Sequence, residues 1–128
     1  MYAGDFEGEE IIKSEEKLQE VLRKRPAFDA NNFILTFSED GFPQLNIFVK
    51  KDICIIYYIE ENSENFVSYD EFEYYEHHGE TEIFYESMSG EETELSSENI
   101  VPINKMYEVA TEFFVTKTRP RCIKWTEL

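Results

Sequence analysis

An α+β domain, with an antiparallel sheet of about six or seven strands and two helices packed mainly on one of its faces, is the architecture this sequence predicts. Three observations point there. Apolar residues recur at helical spacing near both ends of the chain, and between those ends the period falls to two. One run, Ile53–Ile59 (ICIIYYI), is apolar on both faces, which places it centrally in a sheet with a helix over one side. A chain of 128 residues can bury one core but not two, and no repeat or low-complexity linker interrupts it. A single domain over 1–128 is therefore expected.

The first helix is predicted to start at Ser14, whose hydroxyl suits an N-cap. Glu15 and Glu16 follow in the first turn, where the helix dipole favours carboxylates. Leu18, Val21 and Leu22 form its apolar stripe, Arg23, Lys24 and Arg25 suit its C-terminus, and Pro26 stops it. Strands are expected over 33–38, 44–50 and 53–60, joined by the turn EDGFP and the tight Lys51-Asp52 connection into a meander. Further strands read over 66–69, 72–77 and 81–87, with Gly79 and Gly90 marking turns. A second helix is expected from Pro102 or Ile103 to about Thr116, with Met106, Val109, Ala110, Phe113 and Phe114 as a core-facing stripe. A last strand over 121–126 follows it.

Charge is distributed unevenly along this plan. The net charge is -16, from 28 acids and 12 bases, and every base lies outside 52–104, a stretch that holds fifteen acids. Phosphate backbones and anionic lipid surfaces would repel such a protein, so neither nucleic acid nor membrane is an expected direct partner, and an electrostatic partner should be basic. No run is long enough to cross a bilayer, and the start, MYAGDFEGEEII, has neither a basic nor an apolar leader region. Cys54 and Cys122 show no zinc or disulfide spacing, and two buried free thiols in a reducing cytosol are expected.

Within the acidic stretch, residues 68–86 read SYDEFEYYEHHGETEIFYE. A charge run is usually a solvated face, and solubility alone accounts for one. Solubility does not call for aromatic residues between the acids. Tyrosine supplies contact area at little entropic cost and carboxylates steer a cationic partner, so Asp70, Glu71, Phe72, Glu73, Tyr74, Tyr75, Glu76, Glu80, Glu82 and Tyr85 are the candidate binding residues. Density of like charge along an exposed strand also disfavours self-pairing, and a monomer is expected.

Catalytic readings are weaker. His77 and His78 stand beside Glu76 and Glu80, but neighbours in a strand point to opposite faces and make a poor pair of metal ligands. Cys54 lies in the most apolar run of the chain, where a thiolate is disfavoured. Carboxylate pairs are so numerous that none stands out, and no phosphate-binding loop or serine elbow occurs. No enzyme and no cofactor are expected.

The closing stretch, PINKMYEVATEFFVTKTRPRCIKW, resembles the end of immunity protein family one. There a helix with an alanine-x-x-x-phenylalanine pattern leads to threonine-glycine-x-arginine-proline and then a short strand with a tryptophan. Ala110, Phe113, Phe114, Thr116, Arg119, Pro120, Ile123 and Trp125 fit those places, and Lys117 stands where glycine is usual. If that position is left-handed, the lysine costs roughly 1 kcal/mol. The resemblance implies a cytosolic antidote that binds and blocks one cognate bacterial toxin domain, of deaminase or nuclease type, as in polymorphic and contact-dependent systems. It assigns the closing residues to the fold, with Trp125 beneath the second helix near Phe113 and Arg119 paired locally, and leaves binding to the acidic strip. The alternative is an acidic nucleic-acid mimic that sequesters basic proteins in general.

Overall fold

The computed structural model describes residues 1–62, 64–69 and 80–128. In chain order its elements are β1 (Tyr2–Asp5), β2 (Gly8–Ile11), α1 (Glu15–Leu22), β3 (Ala30–Thr36), β4 (Gln44–Lys50), β5 (Ile53–Ile59), β6 (Asn65–Tyr69), β7 (Thr81–Tyr85), β8 (Glu92–Ser96), a 3-10 turn (Ser97–Asn99), β9 (Val101–Pro102), α2 (Ile103–Thr116) and β10 (Lys124–Glu127). The strand expected over 72–77 lies outside the described residues.

Both helices form for the reasons legible in their sequences. The Ser14 hydroxyl accepts from the Lys17 N–H at 3.1 Å, and Glu15 and Glu16 occupy the first turn of α1. At its other end the Arg25 guanidinium donates to the carbonyls of Leu22 and Lys24, at 2.7 and 2.9 Å, satisfying acceptors that the helix itself leaves open. Helix α2 begins directly after Pro102 and buries Met106, Val109, Ala110 and Phe113. Gln19 on α1 donates to the Thr111 hydroxyl on α2 at 2.8 Å, tying the two helices together where their surfaces meet.

The main sheet is antiparallel throughout, in the order β10-β6-β5-β4-β3-β1-β2, with the short β9 beside β5. Strands β3, β4 and β5 form the expected meander, and β5 pairs along its whole length with β4. Alternation along these strands divides the core in two. Phe33, Leu35, Leu45, Ile47, Val49, Cys54, Ile56 and Tyr58 face the helices and pack with Leu18, Val21, Leu22, Val109 and Phe113. Phe48, Ile53 and Ile55 face the other way, against Val67, Phe84 and Ile100.

That second cluster is what the sequence did not announce. Strands β7 and β8 do not extend the main sheet but pair with each other as a separate two-stranded sheet, laid against the face of β3 and β4 opposite the helices. The molecule is thus layered as helices, sheet and hairpin. The N-terminal pair β1 and β2 was also unforeseen, because GDFEGEE offers little apolar alternation. It is held by β1 adding to β3, with Ala3 and Ile12 buried in the helix-side core.

Candidate functional site

The acidic aromatic stretch reaches the described residues through the β7–β8 hairpin. Cross-strand register pairs Glu82 with Leu95, Ile83 with Glu94, Phe84 with Thr93 and Tyr85 with Glu92. Residues directly opposite share a face, so Glu82, Phe84, Thr93 and Leu95 turn one way and Ile83, Tyr85, Glu92 and Glu94 the other. The first set docks the hairpin. Phe84 is fully buried and meets Phe48 edge to face, with centroids 6.2 Å apart.

Lys50, at the end of β4, secures that docking electrostatically. Its ammonium lies 2.6 Å from the Glu82 carboxylate and 2.6 Å from the Ile83 carbonyl, and 5.6 Å from the centroid of the Phe84 ring. One cation from the sheet therefore answers a stretch that has none of its own. The two ends of the hairpin are fastened as well. At the open end the Ser97 N–H donates to the Glu80 carbonyl at 3.0 Å, and Ile100 is buried in the cluster around Phe84. At the turn end Tyr85 stacks on Phe28, centroids 4.7 Å apart and planes 23° off parallel. Gly90 lies so close beneath that a Cβ there would come within 3.1 Å of the Phe28 ring, at a backbone φ of +82°. Glycine answers both constraints.

Of the ten candidate binding residues, Asp70, Glu71, Phe72, Glu73, Tyr74, Tyr75 and Glu76 lie outside the described residues, as do His77 and His78. Glu80 is exposed at the start of β7, while Glu82 is half-buried on Lys50 and Tyr85 is half-buried against Phe28. Reading along one strand missed residues that the pairing brings alongside: Glu92 and Glu94 are exposed on β8, and Phe28, from the loop before β3, is 48 % exposed. The acids were visible in the sequence as part of the base-free stretch. Phe28 carried no signal.

The closing motif is structural, with two differences from its expected contacts. Lys117 caps α2 in the left-handed conformation, φ 61° and ψ 19°, its N–H donating to the Phe113 carbonyl at 2.8 Å. The Trp125 indole donates to the Pro120 carbonyl at 2.7 Å, closing the turn. Its ring packs on Tyr58, 6.3 Å between centroids, and Tyr58 in turn meets Phe113 at 6.2 Å, so one tyrosine mediates the anticipated contact. Arg119, expected to pair locally, instead lays its guanidinium over the Phe66 ring, 3.9 Å from the centroid.

Neither cysteine has the surroundings of a nucleophile. Cys54 is buried and desolvation pushes its thiol up to about 12, against smaller opposing influences from Arg25 and the Met106 backbone. Cys122 is only half-buried, a correction to the expectation of two buried thiols. Burial and then Glu112 raise it to about 11. Among the described residues no group of three or more His, Cys, Asp or Glu side chains is arranged to hold a metal ion, and no helix is long and apolar enough to cross a membrane.

A meander backed by two helices and closed by a left-handed cap, a proline turn and a tryptophan strand carries the closing motif that resembles immunity proteins. The chain belongs to the Imm1 immunity protein family, whose model matches residues 7–127. Over all 128 residues, and the full length of both chains, it is 51 % identical to the double-stranded DNA deaminase immunity protein of Burkholderia cenocepacia (strain H111).

Proposed function

We propose that this protein binds and neutralises one cognate bacterial toxin domain of nucleic-acid-directed deaminase type, and catalyses no reaction of its own. The observation that carries the reading is the full-length identity of 51 % to a protein named as the immunity protein of a double-stranded DNA deaminase. Electrostatics supports it independently. An enzyme that works on duplex DNA must hold a polyanion and so needs a basic surface, and a partner of net charge -16 is opposite in sign. In this reading residues 1–128 act as one domain in the cytosol, without a cofactor and monomeric until the toxin arrives.

The acidic aromatic stretch supplies the contact through Asp70, Glu71, Phe72, Glu73, Tyr74, Tyr75, Glu76, Glu80 and Tyr85, with Glu82 serving it indirectly by holding the hairpin on Lys50. A total burial of about 1,600 Å² and a nanomolar or tighter Kd are expected of an antidote that must outcompete a lethal reaction. Co-expression with a deaminase toxin domain is the test. The chain should restore growth, and at one equivalent it should suppress deamination of duplex DNA in vitro. Glu73→Lys with Glu76→Lys should slow association, most at low salt. A chain that neither protects cells nor inhibits the purified domain would end this reading, and unchanged association of the charge-reversed variant would move the contact elsewhere.

A further inference from the structure

The face of the β7–β8 hairpin turned away from Phe84 carries Ile83, Tyr85, Glu92 and Glu94, and at its turn end Tyr85 stacks on Phe28. Its register brings Ile83 opposite Glu94 and Tyr85 opposite Glu92, so each apolar side chain of β7 stands beside a carboxylate of β8. Glu92 and Glu94 are exposed, as are Glu80 before β7 and Glu86 and Glu91 in the connection. Phe28 lengthens the apolar row by stacking on Tyr85, and it does so from a left-handed backbone, φ 60°, that non-glycine residues seldom adopt. The residue is almost half exposed.

We propose that this face, with Phe28 and Tyr85 at one end and Glu92 and Glu94 along it, is a docking surface for arginine and lysine side chains of a basic protein. The inference rests on the toxin-binding reading above and adds residues to it. Alternate residues of a strand lie roughly 7 Å apart on one face. Glu92 and Glu94 are therefore like charges held side by side, within a stretch of sequence that contains no base. A cation arriving from outside relieves that repulsion. The neighbouring Ile83 and Tyr85 give its aliphatic stem an apolar track, which the half-exposed Phe28 lengthens. The same negative sign disfavours nucleic acid and a second copy of this chain as occupants. Lys50, Phe84 and the Ser97 N–H hold the hairpin in place beforehand, so little ordering cost falls on association.

The test uses the full chain and the deaminase toxin domain that it inhibits. Glu92→Lys with Glu94→Lys should lower the association rate constant about 10- to 100-fold at low salt, with the difference shrinking at high salt. Glu16→Lys with Glu20→Lys, an equal change of charge on α1 across the sheet from the hairpin, should lower it less than threefold. Phe28→Ala should speed dissociation about 10-fold while leaving the melting temperature within a few degrees. Hydrogen exchange on the unmodified complex needs no variant to fold: added protection across 81–96 is expected. Equal rates for the two charge-reversed variants, or protection confined to the helix side, would overturn this surface while leaving the toxin-binding reading intact. Absence of any complex with the unmodified chain would overturn both.

Discussion

Lys117 shows how much a single backbone angle is worth. Its left-handed conformation ends α2, and at that angle a lysine is disfavoured by about 1 kcal/mol relative to glycine. Part of the cost is returned by its ammonium, 5.0 Å from the centroid of the Phe37 ring, an exposed contact of about 0.5 kcal/mol. Lys117→Gly should therefore stabilise the protein by about 0.5 kcal/mol, raising Tm by roughly 2 °C in a thermal melt. A lower Tm would mean that the ring contact outweighs the strain. Cys54 makes the corresponding case for burial. A thiol held at about 12 in the folded chain, but free to ionise at about 8.5 in the unfolded one, keeps its proton longer in the native state. Its contribution is complete below about pH 8.5 and declines as pH rises toward 12. Urea midpoints should fall between pH 9 and 11, and Cys54→Val should flatten that fall while changing stability at pH 7 by less than about 1.5 kcal/mol. The position of Lys117 in its motif, and of Cys54 within an apolar run, were readable from the sequence because both follow from local pattern.

At the scale of elements, the docking of the β7–β8 hairpin is the arrangement most open to experiment. Among the interactions that hold it, the burial of Phe84 and the Lys50 cluster should fail differently. Phe84→Ala removes a fully buried ring and is expected to cost about 3–5 kcal/mol, lowering global stability. Lys50→Met keeps the aliphatic stem but removes the charge from the half-buried Glu82 and from the Ile83 carbonyl, at a cost of about 1–2 kcal/mol. Hydrogen exchange should then quicken at 81–85 and 92–96 while α2 keeps its protection. Equal loss of protection in both places would show that hairpin and helices unfold as one unit. A buried polar junction supports the same layer from the other side. The Ser68 hydroxyl accepts from the Ile56 N–H at 3.0 Å and donates to the Asn99 carbonyl at 2.7 Å, while the Asn99 amide donates to the Ser68 carbonyl at 2.8 Å. These bonds serve the part of β5 between its pairing with β9 and its pairing with β6, on the edge turned away from β4. Nothing in the local sequence of Ser68 marks it for that task.

Across the whole molecule the excess of acids acts on stability as well as on partners. A net charge of -16 on a chain of this size repels itself, and the Debye length falls from about 30 Å at 0.01 M salt to about 10 Å at 0.1 M. Sodium chloride over that range should raise Tm by a few degrees, and the same salt should slow toxin association. A Tm insensitive to salt would show that the acids are spaced or paired well enough in the fold to cancel their repulsion. Caps, stripes and turns are set by neighbours in the chain, so the two helices, the meander, the closing motif and its family, and the negative sign of the chain were determined by the sequence alone. Which carboxylates reach solvent together is different in kind. Glu82 and Glu92 are equivalent in composition, yet one is turned onto Lys50 and the other outward, because hairpin pairing and the position of a lysine 32 residues away decide between them. Only the tertiary structure could place Phe28 beside Tyr85 and set the hairpin against the sheet, since long-range packing, unlike periodicity, leaves no local trace.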